Sequence, residues 1–133
     1  MEILLAEDTE SIGELLVDVL YSLYKDIHIT WKMDGVSALD EYIHNQDKYD
    51  IIITDFNMPS LDGGKLAESI KKHGDSVPIF LWSSSSPDDY GDYVGYFTDV
   101  IQKDDFDSFK DGSAFHMCMN GEDWDAGGGF RLY

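Results

Sequence analysis

Basic side chains are scarce. Nine lysines and arginines stand against 27 aspartates and glutamates, a formal charge of −18. A field of that sign repels phosphate backbones. It argues against nucleic acid as a partner and favours cations and basic proteins. Cysteine is nearly absent: Cys118 stands alone, so no internal disulfide can form. No apolar run is long enough to span a bilayer, and no apolar h-region marks the N-terminus. The expected setting is the cytoplasm, without membrane contact. His28, His44, His73 and His116 are dispersed and lack metal-ligand spacing. Met117, Cys118 and Met119 are neighbours that would not converge in a helix or strand, which argues against a soft-metal site. Internal repeats and signs of a second domain are also missing.

What is present suits one folded domain. The 133 residues are 43% hydrophobic and 14% aromatic, enough to build one good core. Ile51-Ile52-Ile53-Thr54 is a β-branched run of the kind buried on both faces of a parallel sheet. It ends at Asp55, followed by Asn57, Pro59 and the pair Gly63-Gly64. Ile3 to Ala6 reads as a first buried strand ending at Glu7-Asp8. Ser11 with Glu14 reads as a capping box. Ile12, Leu15, Leu16, Val19, Leu20 and Leu23 then form one helical stripe.

Ile27, Ile29, Trp31 and Met33 alternate as in a strand near the sheet edge, and Asp34-Gly35 reads as a turn. Ala38, Leu39, Tyr42 and Ile43 mark a second helix. Leu66, Ala67 and Ile70 mark a third, with Lys71, Lys72 and His73 in its last turn and Gly74 as its cap. Val77 to Trp82 is a fourth strand, ending at Ser83. Ser86 as cap and Pro87 at the first position start a fourth helix, which Gly91 and Gly95 should leave short or loose. Val100 to Gln102 is a fifth strand, ending at Lys103. Strands that alternate with helices imply a parallel, doubly wound α/β sheet with helices on both faces.

In such a sheet, ligands bind beyond the carboxyl ends of the strands. Four of those ends carry Glu7-Asp8, Asp55, Ser83 and Lys103. Converging carboxylates resist ionisation unless a cation joins them. Oxygen ligands suit a hard cation such as Mg2+. Lys103 supplies a mobile positive charge and Ser83 a hydroxyl donor. An Asp carboxylate is itself a competent nucleophile for phosphoryl transfer, forming an acyl phosphate.

Taken together, Glu7-Asp8, the run Asp55 to Gly63, Ser83 and Lys103 resemble the receiver domain of two-component response regulators, the single-domain chemotaxis-regulator type included. The resemblance covers Met1 to about Phe106. It implies a flavodoxin-like five-stranded sheet in the order 2-1-3-4-5. It implies that Asp55 accepts a phosphoryl group from a histidine kinase or a histidine phosphotransfer protein. Glu7, Asp8, Asp55 and the backbone carbonyl of Asn57 would hold Mg2+. Lys103 and Ser83 would contact phosphoryl oxygens, and Pro59 and Gly63 would shape the loop. The chain would then be no conventional enzyme. It would catalyse its own Mg2+-dependent phosphorylation and slow dephosphorylation, and signal as a stand-alone module through contacts with a downstream protein.

Three features depart from the family pattern. Asp104 follows Lys103 where Pro is usual. Val100 occupies the switch position on the fifth strand, where an aromatic is common. The segment from 107 to 133 is an atypical fifth-helix region, broken at Gly112, with an acidic Gly-rich tail. Its exchange between copies would give a homodimer. Two alternatives therefore stand beside the signalling switch: a phosphorylation-independent interaction module of the same fold, and a relay intermediate. Trp31 and Trp82 read as packing residues. Tyr90, Tyr93, Tyr96 and Phe97 fit either a cover for the sheet or a partner-binding surface.

Overall fold

The chain is described by a computed structural model over residues 1–74, 76–84, 87–110 and 113–120. Among these, five short apolar runs form parallel strands: β1 (Glu2–Ala6), β2 (His28–Lys32), β3 (Ile51–Thr54), β4 (Ile79–Ser83) and β5 (Asp99–Gln102). They lie in the order β2-β1-β3-β4-β5. The helices are α1 (Glu10–Leu23), α2 (Gly35–His44), α3 (Gly63–Lys72) and α4 (Ala114–Met119). Two 3-10 segments, Pro87–Tyr96 and Phe106–Phe109, flank β5.

Strand alternation sends successive side chains to opposite faces. Leu4, Ala6, Ile52, Ile79 and Leu81 meet Ala38, Tyr42, Leu66, Ala67 and Ile70 of α2 and α3, with Tyr90 and Phe97. Ile3, Leu5, Ile51, Ile53, Phe80 and Trp82 meet Leu16 and Leu20 of α1 on the other face, with Phe109 and Phe115. The inner strands are apolar on both faces because both are covered. β2, at the edge, is only partly buried.

Asp34 and Asp62 cap α2 and α3, accepting from the backbone N–H groups of Ser37 and Lys65 at 2.7 and 2.8 Å. Gly74 adopts φ 84° after α3, the left-handed conformation of a C-terminal cap.

Several local expectations need correction. Ser11 is the second residue of α1, not its cap. Thr9 stands at the N-cap without a side-chain bond, because the loop after β1 already starts the helix: the Thr9 N–H donates to the Glu7 carboxylate at 3.1 Å, and the Thr9 carbonyl accepts from Gly13. Leu15 is 50% exposed, since the buried face of α1 is centred on Gly13, Leu16 and Leu20. The Trp31 indole lies flat against Gly13, where a Cβ would sit 2.0 Å from Cζ2. Gly35 is no turn residue but the first residue of α2, pressed against the Leu61 carbonyl.

The fourth helix is a 3-10 segment broken at Gly91 (φ 55°, ψ −131°), as its glycines foretold. A 3-10 turn and the short α4 follow β5, in the segment read from the sequence as an atypical fifth-helix region. Phe109 and Phe115 are nevertheless fully buried, and the Tyr24 hydroxyl donates to the Phe109 carbonyl. Ser86, Gly112 and the tail from Gly121 to Gly129 lie outside the described residues.

Candidate functional site

The parallel register sets Ala6 beside Thr54, and the Asp55 N–H donates to the Ala6 carbonyl at 2.8 Å. Glu7 and Asp55 thus leave adjacent strands side by side, at the point where the strand order reverses. Glu7 is fully buried and Asp55 is 7% exposed. Asp8 is half-buried beside them, and carboxylate oxygens of the three lie within 4.8 Å of one another.

Lys103 follows β5 and reaches back across β4. Its backbone N–H donates to the Ser83 carbonyl at 2.9 Å, and its Nζ lies 3.0 Å from Glu7 Oε1 and 3.3 Å from Asp55 Oδ2. The ammonium also sits 5.5 Å from the centre of the Trp82 ring. With Asp104 after it, Lys103 still arrives at the carboxylates.

The electrostatics follow from this packing. Burial pushes the Glu7 and Asp55 carboxyls above their usual range, and Lys103 offsets the rise only in part. Burial alone would lower Lys103. Its hydrogen bond to Glu7 and the charges of Asp55 and Glu7 outweigh that, and its pKa stands above the usual lysine value. Two buried acids short of positive charge, with a third at hand, form an oxygen donor set that a hard divalent cation would relieve. The residues therefore fit Mg2+.

The two Asp55 oxygens differ. Oδ1 accepts from the Phe56 N–H at 2.8 Å, while Oδ2 faces Lys103. Asn57 lies two residues on and is exposed, as is Pro59, whose carbonyl accepts from the Leu61 N–H at 2.8 Å. Gly63 closes the loop by donating to the Phe56 carbonyl at 2.7 Å. A Cβ on Gly63 would stand 2.1 Å from the Asp55 carbonyl oxygen and 3.0 Å from Phe56 Cα. Both neighbours are backbone and have no rotamer to yield. Gly63→Ala should cost about 2–3 kcal/mol. A thermal melt checks it; an unchanged midpoint would mean that the loop relaxes freely.

Ser83 is buried at the end of β4, and its hydroxyl is hydrogen-bonded to that of Tyr90. The sequence did not single out this pairing. Tyr90 belongs to a run of tyrosines at 90, 93 and 96, and nothing in that spacing says which one turns inward. Tyr90 and Phe97 cover the sheet. Tyr93 and Tyr96 are half-buried and, with Phe56, Tyr90 and Glu68, line a groove of about 620 Å³. Val100 pairs with Leu81 and packs, partly buried, on the same side. Trp82 lies in the core, and Trp31 donates from Nε1 to the Glu7 carbonyl at 2.9 Å, so both tryptophans serve packing.

A family model for the response regulator receiver domain matches residues 3–104. Response regulator RppA of Synechocystis sp. is 34% identical over 82 residues, which are 61% of this chain and 34% of that protein. The match thus spans about a third of that relative's length. Among solved structures, the response regulator TrrA of Thermotoga maritima in complex with Mg2+ and BeF is 25% identical. It aligns over 76% of this chain and 84% of its own with a TM-score of 0.68. The receiver domain of Francisella response regulator 1452 is 23% identical, over 90% and 93%, with a TM-score of 0.71. Among the described residues, no helix is long and apolar enough to cross a membrane.

Proposed function

The chain belongs to the response regulator receiver domain family, and on that premise we propose that Asp55 is its phosphoacceptor in two-component phosphorelay signalling. The donor is a phosphohistidine on a histidine kinase or a phosphotransfer protein in the cytoplasm. The observation that carries this reading is the contact of Lys103 Nζ with both Glu7 and Asp55 beside the half-buried Asp8.

Asp55 Oδ2 is the attacking oxygen, since Oδ1 is held by the Phe56 N–H. It bonds to phosphorus as the bond to the donor imidazole breaks, with that electron pair leaving on nitrogen. Lys103 then exchanges its contact with Asp55 for one with a phosphoryl oxygen, and Ser83 supplies a hydroxyl to another. Glu7, Asp8, Asp55 and the Asn57 carbonyl would hold Mg2+, which when bound neutralises the carboxylates and the incoming phosphoryl charge. The chain is no conventional enzyme in this reading. It promotes its own phosphorylation and a slow hydrolysis, and acts through contacts with a downstream protein.

Intact-mass analysis with Mg2+ and a small phosphodonor tests this. One phosphoryl adduct is expected on the wild type and none on Asp55→Asn. Trp emission read with beryllofluoride and Mg2+ should change in parallel, because Trp82 lies under Lys103. An adduct that persists in Asp55→Asn would place the chemistry elsewhere. Val100, in place of an aromatic, favours a second reading, a phosphorylation-independent interaction module. That reading predicts partner binding that Asp55→Ala leaves unchanged.

A further inference from the structure

Tyr90 joins the two ends of the site. Its hydroxyl shares a hydrogen bond with that of Ser83, and its ring lies 4.5 Å from that of Phe56, centroid to centroid. Phe56 in turn holds Asp55 Oδ1 through its backbone N–H. Tyr90 is 4% exposed and Ser83 2%, so the hydroxyl pair is shielded from water. The next residue, Gly91, breaks the 3-10 segment at φ 55°, and a Cβ there would meet nothing. The Tyr90 ring is therefore packed inside while its backbone continues into an open bend. Beyond that bend, Tyr93 lies against Gly64 at the start of α3.

We propose that Tyr90 is a positioning residue that holds the Ser83 hydroxyl in the unphosphorylated protein. Phosphorylation of Asp55 draws that hydroxyl to a phosphoryl oxygen. A neutral hydrogen bond is exchanged for a charge-assisted one, which is the stronger of the two. Tyr90 loses its bond to Ser83, and the change passes to the segment bent at Gly91 and to the tyrosine-lined groove. The cost of breaking the Ser83–Tyr90 bond is subtracted from the affinity for the phosphoryl group. This rests on the reading of Asp55 as the phosphoacceptor.

The test is a double-mutant cycle on beryllofluoride affinity, read by Trp emission with Mg2+ present. Tyr90→Phe keeps the ring on Phe56 and deletes only the competing hydroxyl. It should bind beryllofluoride about fivefold more tightly than wild type, the size of one net hydrogen bond. Ser83→Ala should bind more weakly, and adding Tyr90→Phe to it should change nothing further. A merely structural role for Tyr90 would shift the melting temperature without this dependence on Ser83. Weaker or unchanged binding by Tyr90→Phe, or the same gain in the Ser83→Ala background, overturns the inference and leaves Asp55 as the acceptor. No binding by the wild type overturns the reading of the site itself, and this inference with it.

Discussion

Lys103→Met should lower stability by about 3 kcal/mol at pH 8 without divalent cations, and the loss should fade as the pH falls toward 4. Removing one partner of a buried ion pair costs about 3–5 kcal/mol. Lys103 is 17% exposed, so the lower figure applies. Methionine keeps most of the stem over Trp82 and removes only the charge. Glu7 and Asp55 are then left buried beside each other and Asp8.

The sign follows from linkage. Both acids already have folded pKa values above their unfolded ones, and losing Lys103 raises them further. Below the unfolded values both are protonated in either state, and the charge contributes nothing. As pH rises from there, the folded form holds protons that the unfolded form has released, and stability falls. The deficit is complete above the raised folded values. Lys103 itself has a raised pKa, so its own contribution in the wild type persists until strongly alkaline pH.

For a domain of this size the melting temperature should drop by about 10 °C at pH 8. Mg2+ should recover more stability in the variant than in the wild type, and more at pH 8 than at pH 5, because it binds the ionised acids. Paired melts at the two pH values, with and without Mg2+, check this. A deficit independent of pH and Mg2+ would assign the loss to packing.

Phe115→Ala should destabilise the protein by about 4 kcal/mol. Phe115 is fully buried in α4, edge-on to Phe80 at 5.3 Å and to Phe109 at 5.0 Å, with Tyr24 at 5.9 Å. It bridges β4, the C-cap of α1 and the 3-10 turn on one face of the sheet. Aromatic contacts of this geometry add to the area that the ring buries. A cost of that size is a large share of the roughly 5–15 kcal/mol that holds a domain folded. Urea unfolding would show a lower midpoint with the slope kept. A loss below about 1 kcal/mol would mean that residues after 106 only decorate a receiver that is complete without them.

The order of elements and the residues at the carboxyl ends of the strands were legible in the amino-acid sequence. Ile51 to Thr54 read as a strand covered on both faces, and its end places Asp55 at the ligand edge. Gly74 bounds α3 with a left-handed φ, a feature that a short window of sequence contains. Where propensity competes with packing, local reading failed. Ser11 and Glu14 read as a capping box, but α1 already begins at Glu10, after the Glu7 carboxylate has accepted from the Thr9 N–H. Leu15 fits the stripe, but the buried face of α1 is centred on Gly13, which lies against the Trp31 ring. The weak apolar pattern after Lys103 did not show what Phe109 and Phe115 pack against, because α4 is too short to show a period and Phe115 is covered by Phe80 and Tyr24, far away in sequence.

The same reason governs the site. That Lys103 would reach Glu7 and Asp55 without a following proline, that burial would hold both acids above their usual range, and that Tyr90 rather than Tyr93 or Tyr96 would meet Ser83 are outcomes of distances between strands. They follow from the folded arrangement, because charge and hydrogen bonding act through space between groups that the chain itself keeps far apart in sequence.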